Sequence, residues 1–156
     1  MSTLGYILSP DRTRVLMSHR IGRHDDEQFG KYNGLGGHME PEEDIAACMI
    51  REIREEAGLD VTAMTLRGTV NWTNFGPKYE NWLAFVFLVT AFDGQPPASN
   101  EEGTLQWVPR ATIMDLPMWP GDRYFLPLVF DDDHRPFHAW LPYDGDHPVG
   151  WHVTRL

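Results

Sequence analysis

"GGHMEPEEDIAACMIREIREEAGL", residues 36–59, sets six glutamates against two cations, Arg51 and Arg54. An ordinary surface helix would intersperse lysine to relieve such repulsion. From Pro41 onward the pattern is helical. Ile45, Met49 and Ile53 recur every fourth residue, with Ala46, Ile50 and Ala57 alongside, an apolar stripe for a core. Pro41, Glu42, Glu43 and Asp44 suit a helix N-terminus, where the dipole favours anions, and Gly58 suits a C-cap. The spacing predicts a helix over about 43–57. On it Glu52, Glu55 and Glu56 stand at i, i+3 and i+4 and project from one face. Carboxylates that close resist ionising beside one another, and a bound divalent cation removes the conflict. A solvated acidic face is the alternative that this spacing alone leaves open.

The rest of the chain bounds the answer. Its 156 residues suit one domain with a self-sufficient core. The net charge of −10 argues against a binder of nucleic-acid polymers, which present basic patches. It permits an anionic small molecule if a divalent cation bridges the two negative partners. The single cysteine, Cys48, rules out an intrachain disulfide and reads as a small buried hydrophobe in a reducing compartment. No leader pattern opens the sequence and no apolar run is long enough for a membrane helix, so the expected location is cytoplasmic. The sequence sets no oligomeric state. Seven histidines lack the spacing of a zinc site, and "DDDH", 131–134, reads as a solvated turn.

Upstream, "TLGYILS" and "VLMSHRI" read as a strand hairpin across "SPDRTR". "GRHDDEQFGK" reads as a loop and "YNGLGG" as a glycine-rich turn into the opening segment. Downstream, "MTLRGTVNW" and "NWLAFVFLVTAF" read as strands, the second apolar enough to be central in a sheet. "DGQPPASNEEG" reads as a loop and "TLQWVPR" as a short strand. "ATIMDLPMWPGDRYFLPLVF" reads as two short helices among prolines. "RPFHAWLPY" and "GWHVTRL" read as a closing hairpin. The order implies a mixed α/β fold.

One pattern runs through the opening segment: Gly37, five residues, Glu43, seven residues, Arg51-Glu52-Ile53, one residue, Glu55-Glu56, one residue, Gly58-Leu59. It matches the Nudix box at every defined position, and the sequence therefore resembles the Nudix hydrolases. The resemblance implies an α/β/α sandwich with a mixed sheet, the box as loop-helix-loop, in one domain over 1–156. It implies hydrolysis of a nucleoside diphosphate linked to another group, with Mg²⁺ or Mn²⁺. Glu52, Glu55 and Glu56 would hold metal, with the Gly36 carbonyl as a further ligand. Glu43 would support the loop and Arg51 would orient a glutamate. The base in this family varies: Glu56, Glu55 or a glutamate on a distant loop. "SNEEGTLQW" supplies Glu102 as an added metal ligand or base.

Two further stretches, "YNGLGG" and "LPMWPGDRYFLPLVF", are similar to those of the MutT-like enzymes that sanitise oxidised purine nucleoside triphosphates of the 8-oxo-dGTP type. Carried over, Asn33 would hydrogen-bond the base, Trp119 would stack on it, Asp122 would meet its edge, and Arg20 would lie near the phosphates. The plainer readings are a turn residue, a core aromatic, a helix N-cap and a solvated strand charge. Two departures stand out: Gly121 replaces the first of a pair of aspartates, and the loop "GRHDDEQFGK" is longer than the family's. The expected reaction releases a monophosphate and pyrophosphate from an oxidised or non-standard triphosphate. The alternatives are another nucleoside-diphosphate-linked substrate, a normal (d)NTP, or a non-catalytic nucleotide-binding module.

Overall fold

A computed structural model describes residues 1–156. Alternation along the central strands decides the architecture. Strand β1, Ser2–Leu8, sends Tyr6 and Leu8 into one buried cluster and Ile7 into another. Strand β2, Arg14–His19, splits Val15 and Met17 from Leu16 in the same way. Because successive strand residues face opposite ways, the sheet is buried on both faces. Helix α1, Ile45–Ala57, covers one face through Met49, Ile53 and Ala57. Helix α2, Asp122–Phe130, covers the other through Phe125, Leu126 and Val129. The result is the α/β/α sandwich expected from the sequence.

The sheet is mixed. Strands β5, Asp60–Phe75, and β6, Glu80–Asp93, form a long antiparallel hairpin broken by register shifts. Strand β6 lies between β5 and β1 and runs parallel to β1. The remaining strands are β3 (Tyr32–Asn33), β4 (Leu35–His38), β7 (Ser99–Asn100), β8 (Gly103–Pro109), β9 (Phe137–Gly145), β10 (His147–Pro148) and β11 (His152–Arg155). Strand β9 runs parallel to β5, and β10 and β11 pair with β9. A 3₁₀ turn, Arg110–Asp115, precedes α2. No helix is long and apolar enough to cross a membrane.

Three local readings are corrected. Helix α1 begins at Ile45, not near residue 43, because the Asp44 carboxylate accepts from the Ala46 and Ala47 N–H groups and so caps the helix. Pro41, Glu42 and Glu43 therefore lie ahead of the helix, in the loop. "YNGLGG" is not a turn: it holds β3 and β4, and β4 pairs with β1 through Gly36 opposite Leu4 and Gly37 opposite Thr3. The pairing is tight, since a Cβ on Gly36 would stand 2.0 Å from the Thr3 carbonyl oxygen. "DDDH" is an anchor rather than a solvated turn. Asp131 accepts from Arg67 and Arg155, and Asp133 from Arg135. The buried Arg67 guanidinium also donates to the Leu128 and Val129 carbonyls at the end of α2.

Gly58 closes α1 in the left-handed region, φ 64°, with its N–H donating to the Arg54 carbonyl. Capping sets where α1 starts and packing sets how firmly it stays. Losing an N-cap costs about 1 kcal/mol, whereas truncating a buried isoleucine such as Ile53 costs about 2–5 kcal/mol. Asp44→Ala should lower the unfolding free energy by about 1 kcal/mol. Urea denaturation should show a lower midpoint at unchanged slope; an unchanged midpoint would mean that Asp44 does not cap α1.

Candidate active site

The box folds as β4, a loop, α1 and a return into β5. Its charge is organised around Arg51. That guanidinium grips Glu43 with two hydrogen bonds, Nε to Oε2 at 3.0 Å and Nη2 to Oε1 at 2.6 Å. Nη1 reaches Glu52 at 2.8 Å and Glu55 at 3.3 Å, and Nη2 also donates to the His38 carbonyl at 3.1 Å. Arg51 thus ties the loop, the end of β4 and the helix face into one unit, and its bonds pull the Glu43 carboxyl down to about 2. Glu43 holds the loop through a second bond, accepting from the Glu40 N–H at 2.8 Å.

Glu52 and Glu56 lie on the inner side of this face. A Cβ on Gly37 would sit 2.5 Å from a Glu52 carboxylate oxygen, so only glycine lets that carboxylate rest against β4. Glu56 is the most perturbed of the group. Burial raises its pKa first, the negative charges of Glu102 and Glu52 raise it further, and the Gly36 N–H pulls the other way. Glu102 reaches this cluster from the loop between β7 and β8. That loop is held by Asn100, which donates to the Glu56 carbonyl and accepts from the Glu102 N–H. Glu55 differs: its side chain is 59% exposed and its recorded partner is Arg51.

The structure therefore brings Glu52, Glu56, Glu102 and Gly36 together and leaves Glu55 at the edge. No group of three acidic side chains is already closed to a cation's ligand spacing. The donor set nevertheless fits a hard divalent cation: several carboxylates, a strand carbonyl and an unresolved crowd of negative charge.

A cavity of about 240 Å³ lies beside this cluster and shares Gly36 with it, though none of the glutamates lines it. Gly36, Gly37 and Arg20 bound one end. Tyr6, Asn33, Trp72, Phe75, Trp82, Trp119 and Asp122 form much of the remaining wall. Its volume is below the roughly 300–1,000 Å³ of clefts for drug-sized ligands. The enclosed part suits one flat heterocycle. Two polar groups in the wall have no protein partner. The Asn33 side-chain nitrogen is buried without a hydrogen bond, although such groups normally find one. Asp122 is buried at the start of α2, and its carboxyl is pushed up to about 7, chiefly by burial, with Arg123 opposing.

Asp122 does not cap α2. Gly121 occupies the cap position, without a side-chain bond. An aspartate at 121 would also meet an obstacle. A Cβ there would stand 2.4 Å from the Tyr143 hydroxyl, which accepts from the Gly121 N–H at 2.8 Å. The loss of a second carboxylate is thus matched by a tyrosine filling its place. Trp119 serves both of its readings: it packs in the core beside Phe75 and Tyr143 and also lines the cavity. Arg20 is not a free strand charge. It pairs with Asp26 at 2.9 Å and with Glu102 at 3.2 Å.

Comparison with known proteins agrees with this geometry. The NUDIX domain model matches residues 2–129. The chain belongs to the Nudix family. It is 31% identical over 144 residues to the oxidized purine nucleoside triphosphate hydrolase of Danio rerio, covering 92% of this chain and 86% of that protein. It is 36% identical over 96 residues to the uncharacterized Nudix hydrolase YvcI of Bacillus subtilis. That alignment spans 60% of this chain and 61% of the relative, under two thirds of its length. A MutT protein of Bacillus halodurans has the same fold, with a TM-score of 0.82 at 23% identity, covering 98% of this chain and 96% of that one. This protein is a Nudix pyrophosphohydrolase, and enzymes of the family generally use divalent metal ions.

Sequence reasoning missed Gln28, Phe75, Trp72 and Trp82 as cavity residues. For the three aromatic residues the only signal was the count of aromatic side chains, which does not separate a wall from a core, and Gln28 carried none.

The raised Asp122 value has a thermodynamic consequence. Between the ordinary value of 3.8 and about 7, the folded protein keeps a proton that the unfolded chain has lost. Stability therefore falls as pH rises through that window. Asp122→Asn cannot ionise. Its melting temperature should gain on that of wild type as pH is raised from about 5 to about 8; a constant difference would contradict the assignment.

Proposed function

We propose that this enzyme hydrolyses an oxidised or non-standard purine nucleoside triphosphate, of the 8-oxo-dGTP type, to the monophosphate and pyrophosphate. In this reading residues 1–156 act as one Nudix domain in the cytoplasm. The observation that carries it is the pairing of two unpartnered polar groups, the Asn33 amide and the Asp122 carboxyl, inside an aromatic-walled cavity. Buried polar groups without partners are costly. A base edge that offers both donors and acceptors would satisfy both.

Trp119 stacks on the base in this reading, since an indole face suits any purine. Asn33 and Asp122 read its edge. At pH near 7 the Asp122 carboxyl is poised to donate as a neutral acid or accept as an anion, and substrate chooses between them. Arg20 lies towards the phosphates. Glu52, Glu55, Glu56 and Glu102, with the Gly36 carbonyl, would hold Mg²⁺ or Mn²⁺, and such ions neutralise phosphate oxygens and acidify bound water. Arg51 keeps Glu52 turned inward. Glu56 or Glu102 takes the proton from the attacking water.

One observation favours a second reading. With Tyr143 against Gly121, a single carboxyl remains to read the base, so a normal (d)NTP or another nucleoside-diphosphate-linked compound is the competing substrate. The test is kcat/KM over 8-oxo-dGTP, 2-hydroxy-dATP, the four normal dNTPs, ADP-ribose and a dinucleoside polyphosphate. An oxidised purine triphosphate should lead dGTP by about tenfold or more. Parity, or a lead by a linked dinucleotide, would overturn the sanitising function. Glu56→Gln should reduce turnover by about 10²-fold or more while nucleotide affinity survives.

A further inference from the structure

The loop Ile21–Lys31, between β2 and β3, makes three separate contacts with residues of the cavity. Trp119 Nε1–H donates to the Gln28 side-chain oxygen. Lys31 Nζ stands 4.3 Å above the centre of the Trp119 ring, a cation–π contact. Asp26 accepts from Arg20 Nε and Nη2, both at 2.9 Å. The loop is also built to hold this form. The other Asp26 carboxylate oxygen accepts from the Gln28 N–H at 3.0 Å, and the Asp26 carbonyl accepts from the Phe29 N–H at 2.9 Å. The far side of the loop is pinned by the Gly22 N–H, which donates to the Glu102 carbonyl.

We propose that this loop is the specificity element of the site, with Gln28 the positioning residue that fixes the plane of the Trp119 indole. The inference rests on the reading of Trp119 as the base-stacking ring. Trp119 has one polar atom, and Gln28 takes it. Phe75 meets the indole edge-on, and Lys31, which does not line the cavity, covers a face. The ring is therefore held at its nitrogen by Gln28, over one face by Lys31 and by perpendicular contacts with Phe75 and Tyr143, while Trp119 still lines the cavity. A stacking surface fixed in advance loses less entropy on binding. The same Asp26 carboxylate bonds Arg20 and the Gln28 N–H, so one loop sets the base end and the phosphate end of the cavity together. Gln28 touches neither phosphates nor the glutamate cluster, so its effect belongs on substrate binding rather than on turnover.

The test combines kinetics with the indole resonances of the six tryptophans. Trp119→Phe identifies the Trp119 Nε1–H signal by its loss. Gln28→Leu removes the acceptor and should move that signal upfield with the other five in place. It should raise KM for a purine triphosphate by about three- to tenfold with kcat held within about twofold, as loss of one positioning hydrogen bond implies. In the Trp119→Phe background the same substitution should add nothing, because the bonded N–H is already gone. Gln28→Glu keeps an acceptor and should restore the signal and KM. The proposal is overturned if Gln28→Leu leaves the Trp119 signal in place, or raises KM equally with and without the indole nitrogen. If Trp119→Ala leaves KM unchanged, the base-stacking reading beneath the proposal falls, while the indole shift still reports whether the contact exists.

Discussion

Like charge held close is the constraint on which the site depends. Glu52 and Glu102 place their charge beside Glu56, whose ionisation burial already disfavours; Arg51 reaches Glu52 and Glu55, and Arg20 reaches Glu102, but neither is bonded to Glu56. Arg51 cannot neutralise the inner group, because its one charge is shared among Glu43, Glu52 and Glu55 and it is not bonded to Glu56. It positions the cluster rather than satisfying it. A hard divalent cation is the partner that would, and Gly37 of β4 is what lets the Glu52 carboxylate rest close against the strand. The fold supplies the remaining requirement, rigidity. Helix α1 is clamped by Met49, Ile53 and Ala57 against strands whose opposite face packs under α2.

The two-sided sheet also explains why the cavity lies where it does. Strand β1 carries Thr3 against Gly37 at the glutamate end and Tyr6 at the aromatic end. Asp122 enters from α2, on the opposite layer to α1. Asp122 and the acidic cluster thus come from different layers, with Asn33 on β3 of the sheet between them. A ligand that is flat and polar at one end and anionic at the other fits that division.

Much of this was legible in the sequence, for physical reasons. The four-residue recurrence of Ile45, Met49 and Ile53 marks one helix face turned to a core, and the nearly unbroken apolar run of β6 suits a strand covered on both sides. The box glutamates were legible because their spacing places them on one face. The start of α1 was misjudged because the acids Glu42 and Glu43 look as suitable for a helix N-terminus as Asp44, and only hydrogen-bond geometry separates them. "YNGLGG" was misread because its glycines permit the close β1–β4 pairing as well as they permit a turn. Gln28 and Lys31 carried no signal, since a polar loop residue acquires a role only from the distant ring it touches. Gly121 was visible as a departure, but its cause, the Tyr143 hydroxyl 22 residues away, was not.

The measurement that bears most directly on this account is calorimetric titration of the nucleotide-free protein with Mg²⁺ in buffers of different ionisation enthalpy, alongside Glu56→Gln. Because Glu56 is driven towards its protonated form by burial and its acidic neighbours, saturable cation binding should release protons in wild type. In the variant both the affinity and the proton release should fall. Binding that releases no protons, or that is equally strong in Glu56→Gln, would contradict the claim that the crowded glutamates form the cation site.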